Sequence, residues 1–257
     1  MSHSKQNRAK YRSARRDQRR EQAIVREQKQ KRMRLLAIAG VAALAVVALL
    51  IFVNMEDDSS TSQPLDIAGI PQDGMTLGSP DAAVTIVEYA DYQCPWCGVF
   101  AREDLPQIID DYVRAGQVQF EFRAHPFLGT SELTSPDNES VQAAVAASCA
   151  NDQSMFWEYN HALFENQDGE NIGGFSQERL REIAEESDLD VDAWNGCMDD
   201  QTHLTEVVAG LEANQANGVT STPTIEINGV RVAYTADGYE RLRTQIDAAL
   251  SGEAIPQ

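Results

Sequence analysis

Cys94, Pro95, Trp96 and Cys97 form a Cys-x-x-Cys motif, which places two thiols one turn apart if the segment is helical. Such a pair can cycle between dithiol and disulfide, or supply half of a zinc site. A structural zinc takes about four ligands and normally draws on a second pair. Here Cys149 and Cys197 are isolated and His125, His161 and His203 are scattered, so the pattern favours redox chemistry without a metal. A helix starting at the motif would present unpaired N–H groups and the positive end of its dipole, which stabilise a thiolate most at the first position. Cys94 is then the candidate nucleophile and Cys97 the resolving thiol, with Pro95 suited to the first helical turn.

The flanking pattern predicts the elements that hold this motif. Residues 83–89 (AVTIVEY) are apolar and β-branched, as in a buried central strand. After the cysteines, Val99, Phe100, Leu105, Ile108, Ile109 and Tyr112 fall at helical spacing, with a kink expected at Pro106. Val118, Phe120 and Phe122 alternate with polar residues and predict a second strand. From about 130 to 217 the pattern is helical: residues 141–150, 153–165, 177–186 behind a Ser176 cap, and 204–216 ending at Gly218. Residues 224–227 and 230–234 flank Asn228-Gly229, a hairpin signal, and Tyr239, Leu242, Ile246 and Leu250 line a closing helix.

Glu88 lies six residues before Cys94 in the apolar strand. It is either a partly buried carboxylate of raised pKa that shuttles the Cys97 proton, or a strand-end charge in water. Trp96 is either a substrate contact or a position where any large residue is tolerated. Phe156, Trp157 and Trp194 read as core. Asn138-Glu139-Ser140 has the form of a glycosylation sequon, but most such triplets are unused. Four cysteines allow three pairings; joining 94 to 97 leaves Cys149 with Cys197. Two buried free thiols are the alternative, disfavoured in an oxidising compartment.

The N-terminus indicates such a compartment. Residues 1–34 hold 13 Lys and Arg against three acids, whereas the remainder holds 8 against 37, a net of −29. So acidic a domain repels nucleic acid phosphates. Residues 35–53 are uncharged and would span about 28 Å as a helix, enough to cross a bilayer. The basic flank predicts a cytoplasmic segment 1–34, a retained transmembrane anchor 35–53 and an extracytoplasmic remainder. Residues 54–73 read as a polar tether. The 257-residue chain, 42% apolar and 24% charged, excludes full disorder, collagen and a many-pass membrane protein.

Two stretches, GSPDAAVTIVEYADYQCPWCGVF (78–100) and GVTSTPTIEINGV (218–230), resemble the DsbA-like thiol-disulfide oxidoreductases. They occur in order, separated by a helical block of the size that family inserts into its thioredoxin core. The resemblance covers roughly Met75 to Leu250. It implies an α/β thioredoxin fold with a helical insertion over residues 74–257, here preceded by one transmembrane helix. It maps the family's cis-proline loop onto Thr222-Pro223 and its strand acid onto Glu88. It also marks Thr222, Pro95 and Trp96 as candidate substrate contacts, and points to a second, structural disulfide between Cys149 and Cys197. The implied activity is donation of disulfides to thiol-containing secreted proteins, with no cofactor, and reoxidation by a quinone-linked membrane oxidase. A reductase or isomerase on the same fold, or a non-enzymatic metal- or partner-binding module, are the alternatives.

Overall fold

Strand β3 (Val84–Ala90) is buried along almost its whole length, which its near-continuous apolar sequence anticipates. The structure, a computed structural model, describes residues 65–257 apart from Ser131 and Pro136. The basic segment 1–34, the span 35–53 and most of the tether lie outside the described residues. Among the described residues no helix is long and apolar enough to cross a membrane.

β3 pairs in parallel with β4 (Val118–Ala124) and antiparallel with β5 (Thr224–Ile227), which continues through a tight turn into β6 (Val230–Val232). The turn residues Asn228 and Gly229 both have positive φ, 48° and 76°, as a two-residue hairpin requires. A short hairpin, β1 (Gln72–Asp73) and β2 (Thr76–Leu77), adds to the other edge, giving the order β1-β2-β4-β3-β5-β6. This corrects the domain boundary: Ile67 and Ile70 are buried in the core and residues 72–73 form a strand, so the end of the expected tether is part of the domain. Composition misled there because polar Gln and Asp on an edge strand look like linker.

Helix α1 spans residues 95–113 and crosses from β3 to β4. It is α-helical over Pro95–Val99 and Leu105–Ile108, with π-helical turns over Phe100–Asp104 and Ile109–Val113. Pro106 has no N–H to give the carbonyl one turn back, and the wider turns bracket it, so the expected disruption takes the form of π turns. The helical insertion comprises α2 (Glu139–Asn151), α3 (Phe156–Glu165), α4 (Gln177–Glu186), α5 (Val191–Asp199) and α6 (Leu204–Ala216); α7 (Gly238–Leu250) closes the fold. α5 was not anticipated; its Asn195 and Gly196 are poor helix formers, and an Asp190 side chain accepting from Ala193 N–H starts it.

The insertion shares one hydrophobic core with the sheet. Phe120 meets Trp157, Phe122 meets Phe156, and Tyr92 meets Phe164, with ring centroids 4.9 to 5.9 Å apart. Asn138, fully buried, caps α2 by accepting from Val141 N–H, so the sequon's asparagine is a structural cap.

Candidate active site

β3 ends at Ala90, the chain turns through residues 91–94, and α1 begins, so the cysteine pair stands at a strand-to-helix junction. Cys94 is the N-cap residue and Pro95 occupies the first turn, where its missing N–H breaks no helical bond. Both cysteines are free thiols. Cys94 keeps 6% of its surface exposed and Cys97 none, while Trp96 stands out at 53%.

The two thiols are driven apart in acidity. Cys94 is pulled down to about 6, chiefly by the Cys97 thiol donating to its sulfur; burial opposes this, and Thr222 and the N–H groups of Cys97 and Trp96 assist. In its thiol form Cys94 donates to the Thr222 carbonyl oxygen at 3.3 Å. A thiolate has no proton for that carbonyl, so the lowering rests on donors, the Cys97 thiol first among them. Cys97 is pushed well above the ordinary thiol range, first by burial and then by its bond to Cys94 and the charge of Glu88.

Glu88 sits at the middle of the sheet, opposite Phe122 on β4 and Ile225 on β5, with Oε1 lacking any partner. Burial raises its pKa far above the carboxylate range, and the charges of Cys94 and Asp104 add to it. The strand-end charge in water is therefore excluded, because β3 is covered on both faces. A carboxyl whose folded pKa is raised holds an extra proton in the folded state. Its contribution to stability is complete below the ordinary value of 4.5 and is lost as pH rises through the folded pKa. Glu88→Gln removes that loss. The urea midpoint of the variant relative to the parent should be constant below about pH 4.5 and move in the variant's favour above it. A difference that ignores pH would show that Glu88 ionises freely.

The Thr222–Pro223 peptide is cis and lies directly before β5, whose pairing with β3 carries it to the Cys94 sulfur. A groove of about 230 Å3 runs beside this loop, lined by Trp96, Thr222, Pro223 and Tyr234 among others. Trp96 meets Tyr234 edge-on at 6.4 Å. Tyr234 O–H donates to Asp104 at 2.5 Å, and Asp104 also accepts from Tyr239 N–H, tying the segment before α7 to α1. Pro95 lines no part of that groove. A hollow of about 340 Å3 near Arg102 and His161 touches none of the candidate residues.

Other residues that shape the site gave no sequence signal. Asp91 accepts from Gln93 N–H, Leu128 N–H and the Ser140 hydroxyl, and Gln93 Nε2 donates to Ser140, fixing the turn to α2. Gln167 Nε2 donates to the carbonyls of Tyr92 and Cys94 at 2.7 and 2.9 Å. Gly98 makes room for it: a Cβ there would lie 2.3 Å from Gln167 Oε1. Apart from the local Gln93–Asp91 bond, these contacts bridge 37 to 75 residues of sequence, so no local periodicity reveals them. Cys149 on α2 and Cys197 on α5 are bonded to each other, Cα atoms 5.9 Å apart.

The family profile described as Thioredoxin matches residues 71–248. Disulfide bond formation protein D of Bacillus subtilis is 30% identical over 199 residues, 77% of this chain and 84% of its own. Among solved structures, oxidised BdbD of Bacillus subtilis superposes with a TM-score of 0.60 at 28% identity, covering 70% of this chain and 94% of that one. The alpha-DsbA1 of Wolbachia pipientis superposes with a TM-score of 0.59 at 25% identity, covering 74% and 97%.

Proposed function

Because the chain belongs to the DsbA-like protein disulfide oxidoreductases of the thioredoxin family, we propose that it works as an extracytoplasmic oxidant that donates the Cys94–Cys97 disulfide to secreted or surface proteins. The observation that carries this direction is the split between the two thiols, Cys94 pulled down to about 6 and Cys97 pushed up. Stabilising the Cys94 thiolate favours the reduced enzyme, and a stable reduced form makes the disulfide a stronger oxidant.

A client thiolate attacks Cys94 Sγ of the oxidised enzyme. The intramolecular S–S bond breaks, its electron pair goes to the Cys97 sulfur, and that sulfur takes up a proton. Glu88, buried and close enough for its charge to act on Cys97, supplies it. The client's second thiolate then attacks its own sulfur in the mixed disulfide and expels Cys94 as a thiolate. The client has lost two electrons and two protons; the enzyme has gained two electrons and one proton above pH 6, and the other proton enters solvent. Thr222 and Pro223 offer the client an extended backbone partner beside the sulfur, and exposed Trp96 supplies apolar contact. The apolar span at residues 35–53 holds the domain at the outer membrane face, where a quinone-linked membrane oxidase takes the electrons.

The reduction potential of the pair tests the direction. A value near about −120 mV supports donation, and one near about −270 mV, that of a reducing thioredoxin, overturns it in favour of a reductase. The potential should fall by about 59 mV per pH unit while both thiols are protonated, and by about 30 mV above the Cys94 pKa. The break should come near pH 6. A single slope through that region would show an unperturbed Cys94.

A further inference from the structure

His203 lies 54 residues from Cys149 in sequence, yet the fold sets it against the Cys149–Cys197 pair. Cys149 Sγ, Cys197 Sγ and a ring nitrogen of His203 all fall within 4.8 Å of one another. Asp152, one turn beyond Cys149 at the end of α2, adds a fourth donor: its Oδ2 is 2.8 Å from His203 Nε2 and 3.7 Å from Cys197 Sγ. Two sulfurs, one imidazole nitrogen and one carboxylate oxygen make a borderline-soft donor set that suits a tetrahedral zinc. The second ring nitrogen is also engaged, since Nδ1 lies 3.6 Å from the Glu206 carboxylate. A carboxylate behind a ligating histidine is the arrangement that fixes ring orientation in zinc sites.

We infer that the Cys149, Cys197, His203 and Asp152 cluster is a zinc site whenever the Cys149–Cys197 bond is absent, so that metal and disulfide exclude each other. In a tetrahedral site with zinc–sulfur bonds of about 2.3 Å, the sulfurs stand about 3.8 Å apart. Cα atoms 5.9 Å apart allow that separation through side-chain rotation alone. The newly made chain carries both residues as thiols, so zinc competes with the oxidant for them. In one outcome the two thiols lose two electrons and two protons to a disulfide oxidant, which becomes a dithiol. In the other they release two protons to solvent and the two thiolates bind Zn2+, with no change of oxidation state. Once the disulfide has formed, a dithiol or phosphine reductant must return two electrons and two protons before metal can enter. His203 and Asp152, which hydrogen-bond to each other in the disulfide form, then turn their lone pairs to the metal.

The test uses the full chain in detergent with Cys94→Ser and Cys97→Ser, so that Cys149 and Cys197 are the remaining thiols. After phosphine reduction and anaerobic desalting, Co2+ serves as a visible stand-in for zinc. One equivalent should bind with tetrahedral ligand-field bands and thiolate charge transfer, zinc should displace it, and the unreduced protein should bind none. His203→Ala and Asp152→Ala should each weaken binding by about tenfold or more, and Glu206→Gln by up to about tenfold. Zinc should also slow disulfide formation by glutathione disulfide. If the reduced chain is unfolded without metal, zinc should restore its helical circular dichroism. Reduced protein that neither binds Co2+ nor responds to zinc overturns the inference, as does binding that His203→Ala and Asp152→Ala leave unchanged.

Discussion

Cys97→Ala, expressed with its basic leader and apolar span, should accumulate mixed disulfides with client proteins, whereas Cys94→Ala should form few or none and lose exchange activity down to the uncatalysed rate. The asymmetry follows from position. Cys94 caps the helix and keeps a small part of its surface exposed, beside the Thr222 carbonyl and the groove. Cys97 lies a turn deeper with no exposed surface and a thiol held protonated by burial. A client can therefore reach only Cys94. With Cys97 gone the enzyme holds no disulfide of its own, so the adduct forms when the Cys94 thiolate attacks a client disulfide and expels one client thiolate, and no internal thiol is left to reverse it. Adducts should be visible on non-reducing gels and disappear with dithiothreitol. Abundant adducts from Cys94→Ala would mean that Cys97 is the attacking group, and none from Cys97→Ala would remove client oxidation as the function.

Replacing both Cys149 and Cys197 by alanine should lower stability by about 4 kcal/mol, the chain-entropy cost of releasing a loop of 48 residues. That is roughly a thousandfold in the folding equilibrium. The bond joins α2 to α5, and α2 also supplies Ser140 to the active-site turn, so the insertion should loosen before the sheet does. Urea unfolding of the double variant should show the loss, while thiol exchange at Cys94 persists under conditions where the variant is folded. A change below about 1 kcal/mol would show that the open chain already holds these helices together. Exchange activity that falls in proportion to folded protein alone supports a purely structural bond; a specific loss of turnover would place it in the redox cycle.

Local chemistry accounts for what the amino-acid sequence determined. A Cys-x-x-Cys after a buried strand places a thiol at a helix N-terminus, Asn228-Gly229 sets a two-residue hairpin, Ser176 caps α4, and alternation at Val118, Phe120 and Phe122 defines β4. Each depends on neighbours within a few residues, so each can be read without the fold. Glu88 marks the limit of that reading, because an acid in an apolar strand is compatible with water or burial until the elements covering both faces are known. Only the tertiary structure decided that its Oε1 is enclosed without a partner, that Gln167 and Ser140 clamp the turn before Cys94, and that Thr222 stands at the sulfur. It likewise decided that Ile67 and Ile70 join the core and that His203 and Asp152 meet the second cysteine pair. These depend on contacts between segments tens to more than a hundred residues apart, which are set by sheet pairing and helix packing and leave no periodic trace in the chain.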